Sequence, residues 1–124
     1  MKPKTKQLKV FSTSPALALF AKRIYTATRH IRRGRVSTYR DIAGAVGIPT
    51  RFRWVGYLMS KNHDTSIPCH RVIQSGGHLG GYNGVRGRKE KLLLKEGVEV
   101  KDDIVDLRRF GEDRAQLRSR VFIS

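Results

Sequence analysis

The chain has 124 residues, of which 39% are hydrophobic, and this size suits one domain with one modest core. The apolar content is too high for a fully disordered chain, and no apolar run approaches the ~20 residues that a membrane-spanning helix needs. A single cysteine excludes an internal disulfide and favours a reducing compartment. The basic N-terminus is followed by no long apolar stretch, so we expect no signal peptide.

The charge of the chain is strongly positive and unevenly distributed. Lys and Arg number 26 against 10 Asp and Glu, which gives a net charge of +16. The excess lies before Glu90, where Asp41 and Asp64 are the only acidic residues, and the remainder of the chain is balanced. This distribution indicates a polyanionic partner, with nucleic acid first and an anionic membrane surface second. An arginine-rich surface without such a partner is the alternative.

A first helix is predicted from Ser14 and Pro15, since serine is a favoured N-cap and proline suits the first helical position. It should end before Arg32. Apolar and small residues recur along it at helical spacing and are expected to face inward. These are Leu17, Phe20, Ala21, Ile24, Thr28 and Ile31.

Two shorter helices should follow. The segment Val36–Thr38 opens the first, where Thr38 and Asp41 resemble a capping box and Gly47 is a natural stop. The second is predicted over Arg51–Ser60. Two short helices joined by a glycine-containing turn resemble a helix-turn-helix, in which Arg53 would lie near the start of the helix that enters DNA. This pattern is weak evidence by itself.

The second half of the chain mixes short elements. A strand at Arg71–Ile73 with a glycine-rich turn at 75–78 predicts a small β-hairpin wing. Residues 85–95 should form a fourth helix, with Leu92 and Leu93 inward and Gly97 as its stop, and residues 98–100 a short strand. We therefore divide the chain into a basic arm (1–13), a domain (14–101) and a tail (102–124) that holds a last short helix.

Cys69 is the candidate nucleophile. A lone cysteine is most often a small buried hydrophobe. Here Pro68 restricts the backbone before it, and His70 and Arg71 follow it, so that cationic neighbours favour the reactive thiolate. Adjacent side chains of an extended segment point apart, so a bridging water would link Cys69 to His70. One cysteine and scattered histidines match no zinc-site spacing, and we expect no metal.

From about Ser14 to Val100 the sequence resembles the DNA-binding catalytic domain of methylated-DNA–protein-cysteine methyltransferases, the O6-alkylguanine-DNA alkyltransferases. The most specific element is the signature Ile67-Pro68-Cys69-His70-Arg71-Val72-Ile73. The other matching blocks are 34–39, 53–56, Asn62, 80–82 and 89–97. The resemblance implies a mainly α, winged helix-turn-helix-like fold with a small β-hairpin wing.

The resemblance also implies catalytic roles. Cys69 would accept the alkyl group. His70 would act through a water as general base, oriented by Glu96, because a carboxylate that fixes an imidazole lets it draw the thiol proton. Asn62 would brace the turn that holds Cys69.

Further residues are implied for DNA. Tyr39 would rotate the phosphate of the target nucleotide, and Arg53 would fill the stack that the flipped base vacates. Thr38, Arg51, Lys61 and Arg71 are expected to contact DNA as well. The base pocket would be lined by Gly80, Gly81, Tyr82 and Asn83, with the backbone carbonyl of Val72 against the guanine.

The implied activity is a single irreversible transfer from O6-alkylguanine in duplex DNA, by a monomer without cofactor, in the cytoplasm beside the nucleoid or in a eukaryotic nucleus. The alternative is an alkyltransferase-like protein, which flips the damaged guanine without transfer and passes it to excision-repair proteins. Such proteins usually lack the cysteine. A plain helix-turn-helix DNA binder is the third reading.

The sequence departs from the family pattern at several points. Most members carry a further α/β domain ahead of this one. Asn62 is followed by His63 where proline is usual, and Gly84 by Val85 where glycine is usual. We expect these changes to alter the rim of the pocket.

Overall fold

The computed structural model describes residues 14–80 and 86–123. These ranges are mostly helical, as predicted. The α-helices are α1 (Pro15–Arg29), α2 (Tyr39–Ala45), α3 (Phe52–Lys61), α4 (Arg86–Lys95), α5 (Leu107–Phe110) and α6 (Arg114–Ile123). The strands are β1 (Ser37–Thr38) and β2 (Val72–Ile73), and 3-10 turns cover Pro49–Arg51 and Cys69–Arg71. No helix within the described ranges is long and apolar enough to cross a membrane.

The start of α1 is confirmed. The hydroxyl of Ser14 accepts a hydrogen bond from the backbone N–H of Leu17 at 3.4 Å, and Pro15 is the first helical residue. Ile24, Ala27 and Thr28 form its buried face, whereas Leu17, Phe20 and Ala21 are only partly buried. Ile31 lies just beyond the helix and is fully buried.

The predicted helical hairpin is also present. Thr38 caps α2: its hydroxyl accepts from the backbone N–H of Asp41 at 3.0 Å and lies 3.1 Å from the Asp41 carboxylate. Gly47, at φ +89°, follows the end of α2. Val55, Gly56 and Met59 are the buried residues of α3, which leaves its other face in solvent.

The sheet differs from the predicted hairpin. β2 pairs in parallel with β1, with Ser37 opposite Val72 and Thr38 opposite Ile73. A turn does form after β2, since the N–H of Gly77 donates to the carbonyl of Gln74 at 2.9 Å. The returning chain closes this turn at Gln74, whose N–H donates to the carbonyl of His78 at 2.9 Å, and then pairs with residues 103–104, where the N–H of Leu79 donates to the carbonyl of Asp103 at 3.1 Å.

Residues 102–123, which we expected to form a tail, pack into the body of the protein. One core cluster joins α1, α2 and α3 with the fully buried Leu117 of α6, and a second joins β2 and α4 with Val105. Glu112 is buried beside them and accepts hydrogen bonds from Arg32 and Arg120, each at 2.8 Å. Burial raises the pKa of Glu112, but these arginines outweigh it and hold the pKa below its usual value.

α4 ends where the sequence predicts, but the segment after it does not form the predicted strand. Leu93 is fully buried and Gly97, at φ +89°, follows the helix. Residues 98–100 form no strand, although Val98 is buried in the second cluster. Val85, the expected first residue of this helix, lies outside the described residues.

Candidate active site around Cys69

Cys69 begins the 3-10 turn that leads into β2. Its backbone N–H donates to the carbonyl of Ile67 at 2.8 Å, and the N–H of Arg71 donates to that of Pro68 at 2.9 Å, which fixes the turn. The residue is 8% exposed. Burial raises the pKa of the thiol above its ordinary value, while the hydrogen bond from Asn62 and the charge of Lys89 oppose this. The sulfur is therefore a thiol at neutral pH and needs a base to become a nucleophile.

Asn62 contacts the sulfur directly. Its side-chain amide donates to Cys69 Sγ at 2.9 Å and to the carbonyl of Asp64 at 3.1 Å. Its side-chain oxygen accepts from the N–H of Asp64 at 3.0 Å. Asn62 also ends α3, so this one residue ties the helix, the following loop and the thiol together.

His70 and Glu96 lie in hydrogen-bonding contact, with Nε2 and Oε2 2.9 Å apart. Burial raises the pKa of Glu96, but hydrogen bonds from Arg71 and His70 lower it to about 2. Burial lowers the pKa of His70 from 6.5, against the opposing effect of Glu96. His70 is thus a neutral imidazole at pH 7, and donation from Nε2 leaves Nδ1 free to accept a proton. Within the described ranges no direct hydrogen bond joins His70 to Cys69.

Arg71 has a different place from the expected DNA contact. Its guanidinium meets both oxygens of Glu96 at 2.9 Å and donates to the carbonyl of Ile31 at 2.8 Å. Its side chain is only 15% exposed. Because β2 pairs with β1, Arg71 is directed at the segment after α1, and its donors serve the Glu96 carboxylate.

Lys89 also belongs to this site, and no role was predicted for it from the sequence. It is 2% exposed, and its ammonium donates to the carbonyl of Val72 at 2.6 Å and lies 3.5 Å from the hydroxyl of Tyr39. Burial lowers its pKa to about 8, whereas a Cys69 thiolate would raise this pKa. Lys89 lies four residues before the buried Leu93 and therefore on the same, inward-facing side of the helix. A lysine at an inward-facing position was the signal that the sequence offered.

The residues expected to contact DNA fall into two groups. Tyr39 and Thr38 are 7% and 4% exposed, and the Thr38 hydroxyl is used in the α2 cap. Arg51, Arg53 and Lys61 are exposed at the start and along the outer face of α3. Across the described ranges, no carboxylate lies within 4 Å of their cationic groups, whereas Arg71 is ion-paired.

A cavity of about 460 Å³ opens onto the sulfur, a volume within the usual range for ligand sites. We call it the Cys69 cavity. Its lining residues are Ser60, Asn62, His63, Asp64, Thr65, Ile67, Cys69, His70, Arg88 and Lys89. Four glycine-loop residues were expected to line the base pocket. Gly80 adopts φ +74°, and a Cβ added there would lie 2.9 Å from the Gln74 side chain. Gly81, Tyr82 and Asn83 lie outside the described residues. The described residues hold no group of three or more side chains suited to a metal.

Known proteins are similar to this chain in sequence and in fold. Residues 19–98 match the family described as "6-O-methylguanine DNA methyltransferase, DNA binding domain". A methylated-DNA–protein-cysteine methyltransferase from Metallosphaera sedula is 47% identical over 83 residues, which is 66% of this chain and 51% of that protein. Alkyltransferase-like protein 1 from Schizosaccharomyces pombe is 40% identical over 84 residues, which is 65% of this chain and 78% of that protein.

A solved structure agrees with these matches. The crystal structure of S. pombe Atl1 with damaged DNA containing O6-carboxymethylguanine superposes with a TM-score of 0.71 at 34% identity, and covers 77% of this chain and 96% of that one. The chain spans about half or less of the length of the first curated relatives that it matches. Because the family match covers more than half of the chain, the protein belongs to the family of 6-O-methylguanine DNA methyltransferase DNA-binding domains.

Proposed function

We propose that this protein repairs DNA by direct reversal, moving an alkyl group from O6-alkylguanine in a duplex to Cys69. The observation that carries the proposal is the arrangement at the Cys69 cavity: a thiol held by Asn62 beside a neutral His70 that Glu96 orients. Duplex DNA is the proposed partner, since the exposed face of α3 is cationic and the related Atl1 structure contains damaged DNA.

His70 Nδ1 takes the thiol proton through a water, and the Cys69 sulfur attacks the alkyl carbon. A carbon–sulfur bond forms while the bond between that carbon and guanine O6 breaks. The electron pair goes to the guanine, which gains a proton as His70 gives one up. The product is a stable thioether, so each molecule acts once.

The target base must leave the stack, because its O6 is out of reach of a nucleophile inside the duplex. We propose that Arg53 enters the duplex from its exposed position on α3, and that Tyr39, at the first turn of α2, acts on the neighbouring phosphate. The carbonyl of Val72, at 2.6 Å from the Lys89 ammonium, is the proposed edge contact for the flipped guanine.

A second candidate function is damage recognition without transfer, as in alkyltransferase-like proteins. Its support is the likeness to Atl1, whose structure with damaged DNA superposes with a TM-score of 0.71 at 34% identity. Cys69 argues against it, because the resemblance implies that such proteins usually lack the cysteine. Excision-repair proteins would be further partners under this reading.

The experiment is label transfer. The protein is incubated with a duplex that carries an isotopically labelled methyl group on guanine O6, and the label bound to protein is counted. Transfer predicts at most one label for each chain and none for Cys69→Ser. A duplex that binds tightly and keeps its label would contradict transfer and support the second candidate.

A further inference from the structure

A second cavity, also of about 460 Å³, lies beside the Cys69 cavity. The two share Asn62, His63, Asp64 and Ile67, so the loop after α3 forms a wall of both. The other residues of the second cavity come from α1 and α3 and are Lys22, Tyr25, Arg29 and Lys61. We call it the Lys22 cavity.

The Lys22 cavity carries excess positive charge. Over the described ranges, Lys22 and Lys61 have no carboxylate within 4 Å. Arg29 approaches Asp64 at 3.4 Å, but both side chains are about half exposed, and such pairs contribute little. The hydroxyl of Tyr25 already donates to the carbonyl of Leu58 at 2.9 Å. Three cations therefore face one carboxylate, which favours an anionic ligand.

We propose that the Lys22 cavity binds a backbone phosphate of the duplex, on one side of the flipped nucleotide. This rests on the proposed function, in which Arg53 of α3 fills the vacated stack, and the proposal sets the duplex axis along α3. Lys61 is eight residues further along the same helix, which is about 12 Å at ~1.5 Å per residue. One strand advances about 3.4 Å per nucleotide, so the cavity takes a phosphate three to four nucleotides from the lesion.

With this site, α1 becomes part of the DNA-binding surface. The family resemblance implies no role for α1. It also explains why Lys22 and Lys61, which belong to different helices, meet in one cavity. Phosphate contacts of this kind position a duplex without reading its sequence. The proposed site therefore sets the register of the duplex against the Cys69 cavity.

The test uses Lys22→Gln, because Lys22 is exposed and, within the described ranges, no hydrogen bond or ion pair joins its side chain to Asp64 or Asn62. Its matched control is Lys91→Gln, an exposed lysine of α4 that lines neither cavity. Binding of a duplex with a central O6-methylguanine is measured by fluorescence anisotropy across a salt series. Loss of one phosphate contact lowers the slope of log affinity against log salt by about 0.9. Between about 50 and 200 mM salt, Lys22→Gln should therefore lose roughly three- to fourfold less affinity than the parent protein.

A second arm shortens the duplex from either end. The parent protein should lose the same slope increment when the fourth base pair on one side of the lesion is removed, and Lys22→Gln should not respond to that removal. A Lys22→Gln slope equal to that of the parent, or an equal change in Lys91→Gln, would overturn the phosphate site. If the parent binds no duplex at all, the proposed function itself fails, so the two failures are distinguishable.

Discussion

The imidazole of His70 and the carboxylate of Glu96 are joined at 2.9 Å, and Arg71 holds the same carboxylate through two contacts of 2.9 Å. Glu96 thereby makes hydrogen bonds to two partners from one nearly buried position directly after α4. Its ionised form fixes which nitrogen of His70 carries the proton, and so leaves Nδ1 as the base. This relationship leads to the first two predictions.

Glu96→Gln should slow transfer. The neutral amide can present either an N–H or an oxygen to His70, so the required tautomer is no longer enforced. General-base catalysis contributes about 10²–10⁴-fold, and we expect a loss of about 10²-fold or more in the single-turnover rate at saturating duplex. The control is Glu99→Gln, since Glu99 is exposed and, among the residues that the structure describes, pairs with Arg109. Equal rates for Glu96→Gln and the parent would refute the relay.

Glu96 should also make stability depend on pH in acid. Its pKa is lowered to about 2 from 4.5, so the folded state favours the ionised form. The resulting stabilisation is complete above about pH 4.5 and is lost as the pH falls towards about 2. Urea unfolding of the parent and of Glu96→Gln should therefore give free energies that differ near neutral pH and converge in acid. A difference that stays constant with pH would show that Glu96 is not held in its charged form.

Lys89→Met should reduce the reactivity of Cys69. Methionine keeps an unbranched side chain of similar length and removes the charge that lowers the thiol pKa. We expect the pH profile of Cys69 alkylation by iodoacetamide to shift to higher pH, and methyl transfer to slow in parallel. Lys91→Met, two positions further along α4 and exposed, should leave both unchanged. An unshifted profile for a folded Lys89→Met protein would remove Lys89 from the electrostatics of the site.

Leu117→Ala should destabilise the whole protein. Leu117 is fully buried against α1 and α2, and truncating such a leucine typically costs about 2–5 kcal/mol. The exposed Leu94 supplies the control, because Leu94→Ala should change the free energy of unfolding by less than about 0.5 kcal/mol. Similar denaturation midpoints for the parent and Leu117→Ala would mean that α6 adds little to the fold.

The features predicted well from the sequence are those set by local chemistry. The Ser14 and Thr38 hydroxyls determine helix starts by accepting hydrogen bonds from nearby backbone N–H groups, and a single chain segment contains both partners. The contacts of Cys69 with Asn62 and of His70 with Glu96 were expected only through the family resemblance. Composition and spacing did not identify either pair.

The features that differ depend on distant parts of the chain. β1 and β2 have two residues each, too few for alternation to indicate their partner, and their pairing is set by packing. Glu112 stands in a charged segment that is typical of a tail, and its burial depends on Arg32, 80 residues away. The role of Arg71 follows from the pairing of β1 with β2, because only the folded chain directs its guanidinium at Glu96 and Ile31.

The most direct test of the account is the mass of the peptide that contains Cys69. The protein is incubated with an excess of duplex carrying O6-methylguanine, digested and sequenced by tandem mass spectrometry. We expect one added methyl group on Cys69, the same duplex recovered with ordinary guanine, and neither change with Cys69→Ser. An unmodified Cys69 under conditions in which the duplex is demonstrably bound would contradict it.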